Sequence, residues 1–168
     1  MPESESTSPP IQDFYPPDCA SCYGCGRSNE QGLQLKSIWS GAEAVARYQP
    51  SPHQISVRGY VYGGLIASLI DCHAMATAAA HIEQLAGRTI GAGPAPSYVT
   101  ASLKVDYVRP TPLGPELVVR GRVIEVGRRK VVVALTVEAD GVETARGEVI
   151  AVPIPASMAA GAGSGAGS

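Results

Sequence analysis

Residues 59–80 read GYVYGGLIASLIDCHAMATAAA. A Tyr62-Gly63-Gly64 turn opens an apolar, small-residue run with one carboxylate, Asp71, in its middle; the nearest acidic residues in sequence are Glu43 and Glu83. Ala and Leu favour a helix and the paired glycines let the chain turn into it, so the pattern predicts a helix over 64–81. At about 100° per residue, Leu65, Ile66, Leu69, Ile70, Cys72, His73, Ala76 and Ala80 share a broad apolar face suited to pressing on a sheet. Asp71 falls on the other side with Gly64, Ser68, Ala74, Met75 and Ala78, mostly small residues that allow a backbone or a thin ligand to approach. A carboxylate among them is costly to bury without a purpose. Gly64, two turns earlier and nearly in line, sits where a helix presents free N–H groups and its positive dipole end. That side of the helix therefore carries an oxyanion donor and a carboxylate. The competing reading is a packing surface with Asp71 satisfied by a neighbouring strand.

Outward from this helix the pattern turns to strands. Upstream, 31–39 and 42–48 read as short strands around Ser40-Gly41, followed by a loop with Pro50, Pro52 and His53. Downstream, the Gly- and Pro-rich loop 86–96 leads into 98–108, whose alternation puts Val99, Ala101, Leu103, Val105 and Tyr107 on one face. Arg109-Pro110-Thr111-Pro112 ends that strand. The Val-rich segments 117–126 and 130–139 flank Gly127-Arg128-Arg129, and Asp140-Gly141 turns the chain into a last strand, 142–152. Two strands, one long helix and four strands make an α+β domain: an antiparallel sheet with one helix against one face.

The chain has 168 residues, 45% of them apolar, enough for one domain with one core. A net charge of −2 offers no basic field for nucleic acid. The stretch 61–80 is long enough for a bilayer, but it carries Asp71, His73 and two glycines, which argues against a membrane span. The polar, acidic start MPESESTSPP lacks the basic-then-apolar pattern of a signal peptide, so a cytoplasmic location is expected. Residues 1–12 are expected to be disordered, 13–155 to form the domain, and 156–168, ending in GAGSGAGS, to be a flexible tail.

Cys19, Cys22, Cys25 and Cys72 are not expected to build a disulfide framework without an export signal. The spacing Cys19-x2-Cys22-x2-Cys25 is metal-like, yet a closed zinc site needs a fourth ligand, which would have to be Cys72 or a His. The expectation is no metal, with these cysteines as small buried residues of an N-terminal cap. His73, mid-way along the apolar face, reads as a buried structural residue, and His81 as a surface residue near the helix end.

Residues 62–71, YGGLIASLID, resemble the His-Gly-Gly…Asp pattern that opens the central helix of hotdog-fold acyl-CoA thioesterases, most closely the PaaI and THEM4-like branch. Residues 22–35, CYGCGRSNEQGLQL, are similar to that branch's N-terminal signature, and 99–114, VTASLKVDYVRPTPLG, to one of its strands. Together with the final hairpins the resemblance covers about 19–153 in the family's order, which is more specific than any one motif. It implies a hotdog: a long helix wrapped by an antiparallel sheet, in homodimers or dimers of dimers (homotetramers) whose active sites are shared between subunits. It further implies Asp71 as nucleophile or general base, the Gly64 N–H as oxyanion donor, and Thr100 as the residue positioning the attacking water. His53 matches a loop His before the glycine turn. Tyr62 stands where the family has His, giving a hydroxyl on a longer planar body in place of an imidazole.

His53, Gly63 and Ser68 are expected to bind substrate beside these residues, while Arg58 and the basic tip Arg128-Arg129-Lys130 are candidate clamps for the phosphates of coenzyme A. The expected function is hydrolysis of a small to medium acyl-CoA thioester, aryl chains included, with no cofactor beyond the substrate's own coenzyme A. Two alternatives stand beside it: a hotdog enzyme of a biosynthetic pathway acting on a carrier-bound or unusual ester, and an acyl-CoA-binding protein that does not hydrolyse.

Overall fold

The computed structural model describes residues 8–161. The disorder expected over 1–7 and the flexibility expected over 162–168 concern residues outside that range. The elements follow the expected order: β1 (Ser37–Trp39), β2 (Ala44–Tyr48), α1 (Gly63–Leu85), β3 (Tyr98–Tyr107), β4 (Leu117–Val126), β5 (Val131–Ala139), β6 (Val142–Pro153) and a short α2 (Ala156–Gly161). The strands form one sheet in the order β1-β2-β4-β5-β6-β3, antiparallel throughout. α1 touches all six strands, so the sheet curls around it as a hotdog.

The close fit of helix and sheet depends on two sheet glycines. A Cβ at Gly147 would lie 2.5 Å from Ile70 Cγ2, and one at Gly121 would lie 2.4 Å from Thr77 Oγ1. With the backbone this near, the expected apolar face of α1 is buried from Leu65 to Ala80. The opposite face is not open along its length as expected: Ala74 and Ala78 are also fully buried, because the curled sheet reaches round the helix. Of the residues expected there, Gly64, Ser68, Asp71 and Met75 keep partial exposure. α1 is thus apolar on nearly every side, the pattern of a core helix. It also runs past 81, because Ile82 packs on the core and buried Glu83 is gripped by Arg88, until Gly87 turns at φ 69°.

Two N-terminal expectations are corrected. Residues 31–36 do not extend β1. Their backbone bonds go instead to the cysteine-rich turn before them, Leu33 N–H to Tyr23 O (2.7 Å) and Leu35 N–H to Gly24 O (3.0 Å). Nor is the chain disordered through residue 12, since Ile11 and Gln12 are each only 1% exposed. Gln12 Oε1 accepts the Ser37 N–H, and its Nε2 donates to Ser37 Oγ. Ser37 Oγ in turn meets His73 Nδ1 at 2.8 Å, and His73 Nε2 meets Ala44 O at 2.9 Å. A carbonyl can only accept, so the proton is on Nε2 and Nδ1 receives the serine hydroxyl. His73 is the expected structural histidine, and burial pulls its pKa down to about 4. At the other end, 156–161 is helical, with Met158 and Ala159 N–H bonded to Pro155 O.

β3 lies at the sheet edge and departs from simple alternation. Its register against β6 shifts between Thr100 and Ser102, so Ala101 is the extra residue of a bulge. The bulge exchanges the faces: Tyr98 packs on the core before it and Val105 after it. The expected single face from Val99 to Tyr107 is therefore split in two.

Candidate active site

Asp71 sits mid-way along α1, half-buried, and Thr100 Oγ1 donates a hydrogen bond to its Oδ1. The bulge makes this contact. It places Thr100, just before the extra residue, on the helix side, while Tyr107, of opposite parity and beyond it, also turns inward. Tyr107 Oη donates to Gly63 O at 2.6 Å and packs against Gly63. Burial pushes the Asp71 carboxyl above its ordinary pKa; the Thr100 hydrogen bond pulls it back, and the nearby Cys22 thiol adds a smaller upward push. The group is a carboxylate with raised basicity, held by one donor at one oxygen.

At the start of α1, the N–H groups of Leu65 and Ile66 turn back to Tyr62 O, at 3.0 and 3.4 Å. Those of Gly63 and Gly64 have no acceptor among the described residues and are free donors of the first turn. Tyr62 caps the helix in extended conformation and lays its 57%-exposed ring across Gly64, where a Cβ would meet the ring at 2.4 Å. Ser68 donates its hydroxyl to Gly64 O at 2.8 Å, so that proton is committed within the helix and is not offered to a ligand.

Asp71 and Thr100 are brought together directly, and Tyr62, Gly63, Gly64 and Ser68 gather at the helix start. His53 and Arg58 stand exposed on the loop before α1, and Arg128 and Arg129 stand exposed on the β4–β5 tip; none of the four has a hydrogen bond or ion pair to the Asp71–Thr100 pair. Lys130 is paired with Glu125 at 2.9 Å, whereas Arg128 and Arg129 have no ion-pair partner among the described residues. A cavity of about 310 Å³ lined by Trp39, Gln84, Arg88 and Ile90 opens at the far end of α1, away from Asp71.

Two features beside the site were not legible in sequence. Tyr107 reaches the glycine turn only because of the bulge. The second is the turn at residues 22–25, which folds over Ser68 and Cys72 so closely that a Cβ on Gly24 would lie 2.2 Å from Cys72 Sγ. The expected cap is present, but Cys22 is exposed rather than buried. All four cysteines are free thiols.

A model of the thioesterase superfamily matches residues 58–146, just over half of the chain. Acyl-coenzyme A thioesterase THEM4 of Xenopus laevis is 31% identical over 102 residues, which is 60% of this chain and 40% of that protein. The chain thus matches less than half of that relative's length. The crystal structure of a thioesterase superfamily protein from Shewanella loihica PV-4 is 41% identical, with a TM-score of 0.60, covering 80% of this chain and 94% of that one. The PaaI protein from the phenylacetic acid degradation operon of E. coli superposes with a TM-score of 0.60 over 73% of this chain and 81% of its own. At 16% identity, it bears on the fold alone.

Proposed function

Because the chain belongs to the thioesterase superfamily, we propose that it hydrolyses the thioester of a small to medium acyl-CoA, aryl chains included, with Asp71 as the catalytic carboxylate. The observation that carries this reading is the Asp71–Thr100 hydrogen bond. It occupies Oδ1 and leaves Oδ2 to take a proton from an attacking water, or to attack the carbonyl itself. A thioester has a good leaving group, so a positioned water and N–H donors for the oxyanion are sufficient chemistry. The free N–H of Gly64 supplies the donor. Burial that raises the basicity of Asp71 suits a general base.

The spacing of these groups favours a site shared between two subunits. Seven residues of helix separate Gly64 from Asp71 by about 10 Å along the axis. One carbonyl needs its donors and its base within hydrogen-bond reach, roughly 3 Å. The Gly64 N–H of one subunit therefore works with the partner subunit's Asp71, in a homodimer or a dimer of dimers. The exposed edge strand β3, with Leu103 and Tyr107 at 41% and 52% exposure, suits such an interface. Acyl-CoA is the substrate named for the Xenopus relative, and the unpaired Arg128 and Arg129, with Arg58, are suited to its phosphates. No metal or cofactor is needed for this chemistry, and a cytoplasmic setting, where acyl-CoA is made, fits it.

The test is Asp71→Asn against a panel of acyl-CoA thioesters. Loss of at least two orders of magnitude in kcat, the usual range for a general base, is expected; near-wild-type turnover of every thioester refutes the assignment. One feature favours the carrier-bound or unusual-ester reading: the Tyr62 ring covers Gly64 where the family has a His. Tyr62→His raising acyl-CoA turnover would point to that reading.

A further inference from the structure

We propose that Cys22, Cys25 and Cys72 form a three-thiolate zinc site that clamps the N-terminal turn onto the central helix beside Asp71. The three sulfurs, from two separate parts of the chain, all lie within 4.8 Å of one another. Cys22 Sγ and Cys72 Sγ are 3.7 Å apart. Zinc–sulfur bonds of about 2.3 Å in a tetrahedron put neighbouring sulfurs about 3.8 Å apart, so these two already stand at the edge of a zinc tetrahedron. A disulfide would need them at about 2.05 Å. Cys19, which the metal-like spacing groups with Cys22 and Cys25, stands apart from them: its Sγ lies 3.5 Å from Ser97 Oγ.

The turn is built to hold a thiolate. The Cys25 and Cys72 thiols and the backbone N–H groups of Cys25 and Gly24 are gathered around Cys22 Sγ. Gly26, immediately after Cys25, has no room for a Cβ, which would meet Ala20 O and Cys22 N at 2.4 Å; its N–H bonds to Cys22 O at 2.8 Å. An independent observation points into the same place. The Tyr15 hydroxyl, near the cysteine sulfurs, is buried with no hydrogen-bond partner among the described residues. A buried donor facing thiols is suited to a thiolate, or to a water on the ion.

Zinc displaces up to three thiol protons and takes three sulfurs. No fourth Cys, His, Asp or Glu atom joins the group among the described residues, so the fourth position goes to water or another small ligand. Soft thiolates select zinc over the hard cations.

The full chain, purified reduced, is titrated with zinc against a chromophoric chelator and with cobalt(II) as a spectroscopic probe. One equivalent per chain with the intense bands of tetrahedral thiolate-bound cobalt is expected. Cys22→Ser, at an exposed position that leaves the core intact, should weaken zinc by more than the roughly 10–100-fold that losing an outer-shell partner costs. Cys19→Ser should leave it unchanged, and zinc should raise the melting temperature of the wild type but not of Cys22→Ser. No cobalt–thiolate band with all thiols titratable, affinity retained in Cys22→Ser, or equal loss in Cys19→Ser overturns the site. So does a mass showing that Cys22 and Cys72 form only a disulfide.

Discussion

Mixing two inactive variants tests the geometry most directly. Asp71→Asn removes the carboxylate's basicity, and Gly64→Pro removes the proposed oxyanion N–H within the first turn, where no helix hydrogen bond is lost, although the exposed Tyr62 ring must swing aside for the new side chain. The rise of α1 separates the two groups by about 10 Å within one chain, so in the proposed dimer each working site draws Gly64 from one subunit and Asp71 from the other. Each pure variant is then inactive in both sites of its dimer. A heterodimer has one ruined site, carrying both changes, and one intact site. Random reassortment of equal amounts makes half the dimers mixed, with one of two sites intact, so activity should return to about a quarter of wild type under two-fold symmetry. The assay is acyl-CoA hydrolysis before and after dissociation and reassociation, with circular dichroism confirming that Gly64→Pro is folded. If mixing gives no more activity than the parents, while heterodimers are shown to form by mass, the shared-site argument is wrong.

Thr100→Val keeps the shape of β3 but removes the donor that pulls the Asp71 pKa down. The acidic limb of the pH profile of kcat/KM should move to higher pH, with about a tenfold loss of activity, the low end for a hydrogen bond to a charged group at an exposed threonine; a limb that stays put removes Thr100 from the site. His73 is neutral in the fold, with a pKa near 4 against 6.5 when unfolded. The unfolded chain binds the extra proton first, so this stabilisation is complete above pH 6.5 and is lost as pH falls towards 4, by about 3 kcal/mol. In urea titrations His73→Gln should show a flatter acid limb. Gly147→Ala drives a Cβ into the stiff Ile70 side chain at 2.5 Å and should cost about 1–3 kcal/mol, read as a lower melting temperature. Reversing Arg128 and Arg129 to Glu should raise KM for acyl-CoA and leave kcat nearly unchanged; an unaltered KM rules out the phosphate clamp.

The single strands, the helix and their order were legible because each rests on local chemistry. Glycine turns, period-two valines and an alanine-rich apolar run act over a few residues, and the Asp71 carboxylate stood out against that run by itself. His73 was legible for the same reason: its helical phase alone placed it in the core. What sequence could not give depends on groups distant in the chain. Strict alternation would have set Thr100 and Tyr107 on opposite faces, and only the register of β3 against β6 reveals the bulge at Ala101 that turns both to the helix. The opposite face of α1 looked open because periodicity counts faces, not the sheet that curls over them, which closes Ala74 and Ala78. The spacing of Cys19, Cys22 and Cys25 suggested one triplet, but folding gave Cys19 to Ser97 and brought Cys72 to the other two. Local propensity and period therefore determined the elements and the central residue; register, curvature and long-range contact decided which side chains surround it.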